Sequence, residues 1–161
     1  MSLTHERLTE LLNYNPETGV FSWRVRTSNR IAVGQLCLNK DSHGYIRVRV
    51  DNKLYWAARL AWFYVHRVWP QHDIDHINGI RDDNRLSNLR EATRSQNLAN
   101  RRPKHGGYKG VCYVKRTSRW AATVSKNGNT VFHKTYATEE EARDAYIAAA
   151  KEHHGQYARA S

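Results

Sequence analysis

A break near residue 103 constrains this chain more than any other feature of its sequence. Asn100-Arg-Arg-Pro-Lys-His-Gly-Gly107 sets a proline and a glycine pair inside a run of cations, and a stretch of that composition reads as a linker. It divides 161 residues into modules of about 100 and about 54 residues, so no single large core is expected. The two sides differ in charge. Residues 1–97 carry 14 Lys and Arg against ten Asp and Glu, and residues 98–161 carry 12 against five. From Leu98 to Ala137 nine cations stand without one acid. With a net charge of +11, the partner to expect is a polyanion.

Other classes drop out for want of their signatures. No run of eighteen apolar residues occurs, and MSLTHERLTELL has no basic segment followed by an apolar one. Neither a transmembrane helix nor a signal peptide is expected, so the protein is expected in the cytoplasm with no membrane partner. Cys37 and Cys112 form no C-x-x-C pair, which argues against structural zinc or a disulfide framework. Both are expected to be buried or half-buried thiols.

The local signals point to an α+β fold. Leu3, Leu8, Leu11 and Leu12 mark a short helix, and Asn15-Pro-Glu-Thr-Gly19 is a turn into an alternating strand over 20–25. Two more strands are expected over 45–50 and 53–56. In the first of these, alternation sets Arg47 and Arg49 on one face, toward solvent or phosphate, and Ile46, Val48 and Val50 on the other. Residues 57–65 are apolar almost all round, as in a buried helix, and end ahead of Trp69-Pro70. Beyond the break, strands are expected over 109–114, 120–125 and 130–135, the last two joined by a turn containing Asn127-Gly128. Thr138 with Glu141 forms a capping box, and Ala142, Ala145, Tyr146, Ala149 and Ala150 make one apolar stripe. The second module is therefore expected to be a three-stranded antiparallel sheet packed on one helix.

The densest chemistry lies in residues 73–97, where acids, amides and a histidine crowd between two short apolar runs. Ile74 and Ile77 bracket Asp75-His76 as a strand end, Asn78-Gly79 makes a turn, and Thr93-x-x-Gln96 starts a helix with Asn97 in its first turn. A hydrolytic base should titrate near neutral pH, which favours histidine. One carboxylate and one amide suit Mg²⁺, which commonly takes one or two carboxylates plus substrate phosphate. Each residue also has a purely structural reading: Asp75 as a turn cap, His76 as a satisfied surface histidine, Asn88 as a helix cap. Asp82, Asp83 and Asn84 read first as turn residues that order the loop, and second as groups that tune a metal by bonding its ligands. A calcium loop counted from Asp73 fails, because Asn78 falls where glycine is needed and Asn84 where glutamate is needed.

The same residues carry a resemblance. D-H-I-N-G at 75–79, D-N-R-x-x-N-L-R-x-A-T at 83–93 and Q-N at 96–97 resemble the His-Asn-His endonucleases of phages and homing elements. L-L-x-Y-N-P-E-T-G-V-F-x-W, G-Y-I-R-V-R-V and R-L-A-W extend the likeness over most of residues 1–100. The resemblance implies a ββα-metal (His-Me finger) nuclease module over 1–100, its core motif over 56–100. It further implies that Asp75 and Asn97 ligate one divalent ion per site, Mg²⁺ or Mn²⁺. His76 would be the general base, and Asn88 would hold the His76 loop. Family members often have a histidine before R-L-A-W, where this chain has Ala58. Arg59 has two readings, a phosphate contact and a buried structural arginine.

Residues 108–158 resemble the plant ethylene-response (AP-two) DNA-binding domain in Tyr108-Lys-Gly-Val111, Trp120-Ala-Ala, Tyr136, Thr138, Glu141-Ala142 and Ala145-Tyr146. That likeness implies a sheet entering the major groove of double-stranded DNA, with Lys109, Tyr113, Lys115, Arg119, Trp120, Thr123 and Lys134 as candidate contacts. Arg116 lies in the adjoining turn, and Arg101 and Arg102 lie in the linker over 101–107. Cations interleaved with aromatics suit phosphate, and arginine can read guanine. The alternative is a solvated basic face with Trp120 in the core. The expected protein is a metal-dependent, homing-like, phage-type nuclease that nicks DNA as a monomer, or as a dimer on DNA. It would leave a 3′ hydroxyl and a 5′ phosphate and be targeted by the module over 108–161. A DNA-binding regulator with an inactive nuclease module is the competing reading, and an RNA-directed protein the third.

Overall fold

The computed structural model describes residues 3–101, 103 and 107–159. Arg102, Lys104 and most of the expected linker lie outside the described residues. The chain divides into two compact units, Met1–Glu91 and Ala92–Ser161. The boundary falls ahead of the Pro103 and glycine-pair segment.

In the first unit, Thr4 accepts a hydrogen bond from Arg7 N at 3.2 Å and starts helix α1, His5–Leu11. Leu12 ends that helix in an extended conformation and begins β1, Leu12–Asn15, which pairs antiparallel with β2, Val20–Trp23. The leucine cluster of the sequence is thus shared between a helix and a strand. Leu12 and Tyr14 point inward while Asn13 and Asn15 stay exposed, but two turns of alternation are too short to outweigh the helical leucines. Strands β3, Arg47–Val50, and β4, Lys53–Trp56, form a second hairpin whose turn residues Asp51 and Asn52 both have positive φ, the backbone of a two-residue hairpin turn. Helix α2, Ala57–His66, follows at once and stops at Arg67, which is left-handed at φ 62°.

Strand β5, Asp73–His76, pairs with β6, Leu89–Ala92, and a single 3-10 turn, Leu86–Asn88, runs into β6. Leu8, Leu12, Phe21, Val50 and Leu60 are all at most 1% exposed, and each such side chain contributes roughly 1.5–3 kcal/mol of transfer free energy. Tyr55, Trp69 and Phe63 stack in series beside them, with centroids 5.8 and 4.2 Å apart.

In the second unit, helix α3, Arg94–Ala99, carries the expected capping box. Thr93 N donates to Gln96 Oε1 at 2.8 Å and Gln96 N to Thr93 Oγ1 at 3.4 Å. Strands β7, Val111–Val114, β8, Arg119–Lys126, and β9, Asn129–Tyr136, form an antiparallel sheet in the order β7-β8-β9. Asn127 and Gly128 turn between the last two with φ 53° and 84°. Helix α4, Glu139–His154, begins at the Thr138–Glu141 capping box and buries Ala142, Tyr146, Ala149 and Ala150 against Ala122 and Val124. Gly110, at φ 67°, lies under the Tyr146 ring, where a Cβ would overlap it.

The α+β class expected from the sequence is the one observed. Cys37 is buried, and burial pushes its thiol up to about 11. Cys112 corrects the expectation for both cysteines: it is exposed, because alternation along β7 turns it away from the side that packs on α4. Among the described residues, no helix is long and apolar enough to cross a membrane.

Candidate functional site

Strand β5 ends on Asp75 and His76, each only 5% exposed. A histidine this deep is penalised for charge, and its pKa falls below the ordinary 6.5; the hydrogen bond to Asn84 and the nearby Asp75, Asp83 and Asp82 only partly offset that. The imidazole is thereby kept as a neutral base. Asn84 fixes which nitrogen holds the proton. Its amide nitrogen donates to Asp82 O at 3.3 Å, which turns Oδ1 toward the ring, and His76 Nε2 donates to that oxygen at 3.1 Å. The neutral ring then carries its lone pair on Nδ1.

Asn84 is itself held from the N-terminal hairpin. Tyr14 donates its hydroxyl to Asn84 O at 2.7 Å, Leu86 N donates to Pro16 O at 3.1 Å, and Gly19 lies so near the Asn84–Arg85 backbone that a Cβ would overlap it. The β1–β2 turn therefore sets the position of the loop that faces His76.

Asn88 cross-braces the same loop. Its Oδ1 accepts from Asn78 N at 3.0 Å, its Nδ2 donates to Asn78 Oδ1 at 3.1 Å and to Asp83 O at 2.8 Å, and its carbonyl accepts from Ile77 N at 2.9 Å. It closes the 3-10 turn rather than heading a helix. Asp83 pairs with Arg85 at 2.6 Å, which lowers its carboxyl to about 2, and Lys40 pairs with Asp82 at 2.6 Å.

Asp75 receives Arg90 across the β5–β6 pair. Nε and Nη2 both donate to Oδ2, at 2.9 and 2.8 Å, with the Arg90 side chain 13% exposed. This bond orients the carboxylate. Among the described residues, no group of three or more His, Cys, Asp or Glu side chains converges as a metal cluster. The Asp75 carboxylate is a hard oxygen donor of the kind a divalent ion takes. Such an ion would share the Asp75 carboxylate with Arg90. The other candidate ligand, Asn97, is half-buried on α3 in the second unit, where its N–H closes the first helical turn on Thr93 O at 2.9 Å.

The candidate DNA contacts separate into groups. Arg47 and Arg49 lie on the outward face of β3, opposite Trp56 and Leu54, while Ile46, Val48 and Val50 are buried as the alternation required. Arg59 donates to His72 O at 2.9 Å and Pro70 O at 3.2 Å, so the turn after α2 uses its guanidinium. Arg101 is exposed.

In the sheet of the second unit, Trp120, Ala122, Val124, Phe132 and Tyr136 face α4. Trp120 is half-buried and packs against that core, with Tyr113 leaning on it at 5.3 Å, and Lys134 sits at the margin of the same side over Phe132. Alternation turns Arg119, Thr123 and His133 to the opposite face, where Thr123 Oγ1 and His133 Nδ1 lie 2.9 Å apart. Lys115 and Arg116 are exposed in the β7–β8 turn. Lys109 has a different task. Its ammonium donates to Leu98 O at 2.9 Å and to Ala99 O, capping the C-terminus of α3, and burial together with Arg159 and Arg101 lowers it to about 8. At the other end of α3, Ser95 Oγ accepts from Asn127 N at 3.0 Å.

Three residues carry more than the sequence reading gave them: Asn84, read there as a turn residue that orders the loop and here bonded to His76, Arg90, and Tyr45, whose ring lies 5.9 Å from that of His76. The first two stand inside the D-N-R and N-L-R runs, which was the available signal. Compared with known families, residues 55–99 match the family described as HNH endonuclease, and residues 106–156 match the AP2 domain. No curated protein and no solved structure matches the chain.

Proposed function

We propose that this chain, which matches the HNH endonuclease family over 55–99 and the AP2 domain over 106–156, is a divalent-metal-dependent DNA endonuclease that nicks DNA where the second domain has bound it. The observation that carries this reading is a buried, neutral His76 with one tautomer favoured by Asn84, next to a buried carboxylate on Asp75. His76 takes a proton from the water that attacks phosphorus. Asn88 holds the loop that frames it, and Arg90 aims Asp75. Asp75 and Asn97 would hold the metal, Mg²⁺ or Mn²⁺. When bound, the ion would stabilise charge on the phosphate; water oxygen bonds to phosphorus as the P–O3′ bond breaks, and the 3′ oxygen takes a proton from solvent, giving a 3′ hydroxyl and a 5′ phosphate. One such site per chain supports single-strand nicking by a monomer. The 108–161 module raises the local concentration of DNA for a cutter of low intrinsic specificity, and a homing-like, phage-type role in a host cytoplasm fits this division of labour.

The test is supercoiled plasmid incubated with Mg²⁺ or Mn²⁺. Wild type should yield open circles, whereas His76→Ala and wild type with chelator should not. Undiminished cutting by His76→Ala, or cutting that ignores the chelator, would sink the mechanism. Binding without cutting under every metal condition would favour the inactive regulator instead.

A further inference from the structure

The outward face of the β3–β4 hairpin has more on it than two arginines. Arg47 and Arg49 share that side of β3, with Tyr45 two residues ahead of Arg47, and Trp56 and Leu54 oppose the two arginines on β4, Arg47 directly across from Trp56. Trp56 is 48% exposed and Leu54 46%. Cations alternate with rings along this face. Arg81 sits 5.3 Å over Tyr45, held there by its bond to His43 O at 2.7 Å, and Arg47 sits 5.6 Å over Trp56. The Tyr45 and Trp56 rings are 6.3 Å apart, and Tyr45 in turn is 5.9 Å from the His76 ring. Asp41 takes part of the Arg47 charge at 3.4 Å, which leaves Arg49 and Arg81 as the main cations of the strip.

We propose that Tyr45 and Trp56 form a stacking platform for unpaired bases of the DNA strand being cut, with Arg47, Arg49 and Arg81 on its phosphates, so that the preferred substrate is locally unpaired rather than fully duplex DNA. Aromatic rings interleaved with cations are the chemistry by which single strands are bound, because every base has a π face and every linkage a phosphate. Spacing selects the unpaired form. Bases in a B-form strand step by about 3.4 Å and cover one another's faces, so neighbouring bases can rest on rings 6.3 Å apart only once they are unstacked and drawn apart. The strip also begins at the residue proposed to act as base, so a strand laid along it is led to His76. The inference takes DNA as its substrate class from the nuclease reading above.

The test measures binding by the full-length protein in chelator, where no cutting occurs, using three labelled probes: a fully paired duplex, the same duplex with a short unpaired loop, and its single strand. Wild type should prefer the looped duplex. Trp56→Leu, which keeps an apolar cover for Arg47, should weaken binding to the looped duplex and the single strand about tenfold or more. It should leave the paired duplex unchanged, and Trp56→Phe should restore most of the loss. If Trp56→Leu binds all three as wild type does, or loses all three equally, the platform is wrong. Tighter binding of single-stranded RNA than of DNA of the same sequence overturns the choice of substrate. Failure of wild type to nick plasmid would count against the nuclease reading and leave this result standing.

Discussion

Asn84 is 1% exposed, the most buried polar side chain of the site, and its Oδ1 accepts from His76. Replacing it with leucine keeps the volume and removes the acceptor, so a buried N–H loses its partner at a cost of roughly 1–3 kcal/mol. Asn84→Leu should lower the nicking rate tenfold or more while DNA binding in chelator stays at the wild-type level; equal losses in both would mean that the residue only supports folding. The buried imidazole has a second consequence. Because its folded pKa lies below 6.5, the unfolded chain takes up the proton first, and His76 removes stability as pH falls from 6.5 through the lowered value. In metal-free protein, the urea midpoint of wild type should therefore lose ground to that of His76→Phe on acidification. A constant difference across that range would refute the shift. Asp75-His76 was legible in the sequence because its two members are neighbours and end an apolar strand. Asn84 and Arg90 were not, since their partners lie eight and fifteen residues away and the loop's path decides which amide or guanidinium arrives.

The β1–β2 turn props the loop that carries Asn84, and Gly19 is where the two touch. At φ 74°, with the Asn84–Arg85 backbone where a Cβ would go, alanine meets both strain and overlap. Gly19→Ala should cost well over about 1 kcal/mol in urea unfolding, and nicking should fall with it. In α3 the informative residue is Lys109. Its folded pKa of about 8 against 10.5 means the unfolded chain binds the proton more tightly, so between those values stability rises with pH. Lys109→Met should flatten that rise in urea midpoint; an unchanged slope would show that the ammonium is not buried against α3. The capping boxes at Thr93 and Thr138 and the Asn127-Gly128 turn could be read from sequence because each is a local rule fulfilled within four residues. Strand β1 was hidden because its register comes from Trp23, and the Lys109 cap because a lysine in an acid-free basic run looks like every other phosphate ligand.

Charge is divided unevenly over the chain. Residues of Met1–Glu91 include 13 Lys and Arg against ten acids, and those of Ala92–Ser161 include 13 against five, so most of the net positive charge belongs to the second unit. Duplex binding should weaken steeply with salt, and Arg119→Ala, on the sheet face turned away from α4, should reduce the slope of log K against log salt by about 0.9. No change in slope would take Arg119 off the phosphate backbone. The sequence suggests a break near Pro103, whereas the two compact units divide after Glu91, so α3 belongs to the second unit, held at one end by Lys109 and at the other by Asn127. That has a bearing on exchange of parts. A graft that swaps the binder at Gly106-Gly107 leaves α3 behind without either of its clamps, and with it Asn97. A recombinant meant to carry the second unit intact should be joined ahead of Thr93, and the glycine pair is the wrong place to cut.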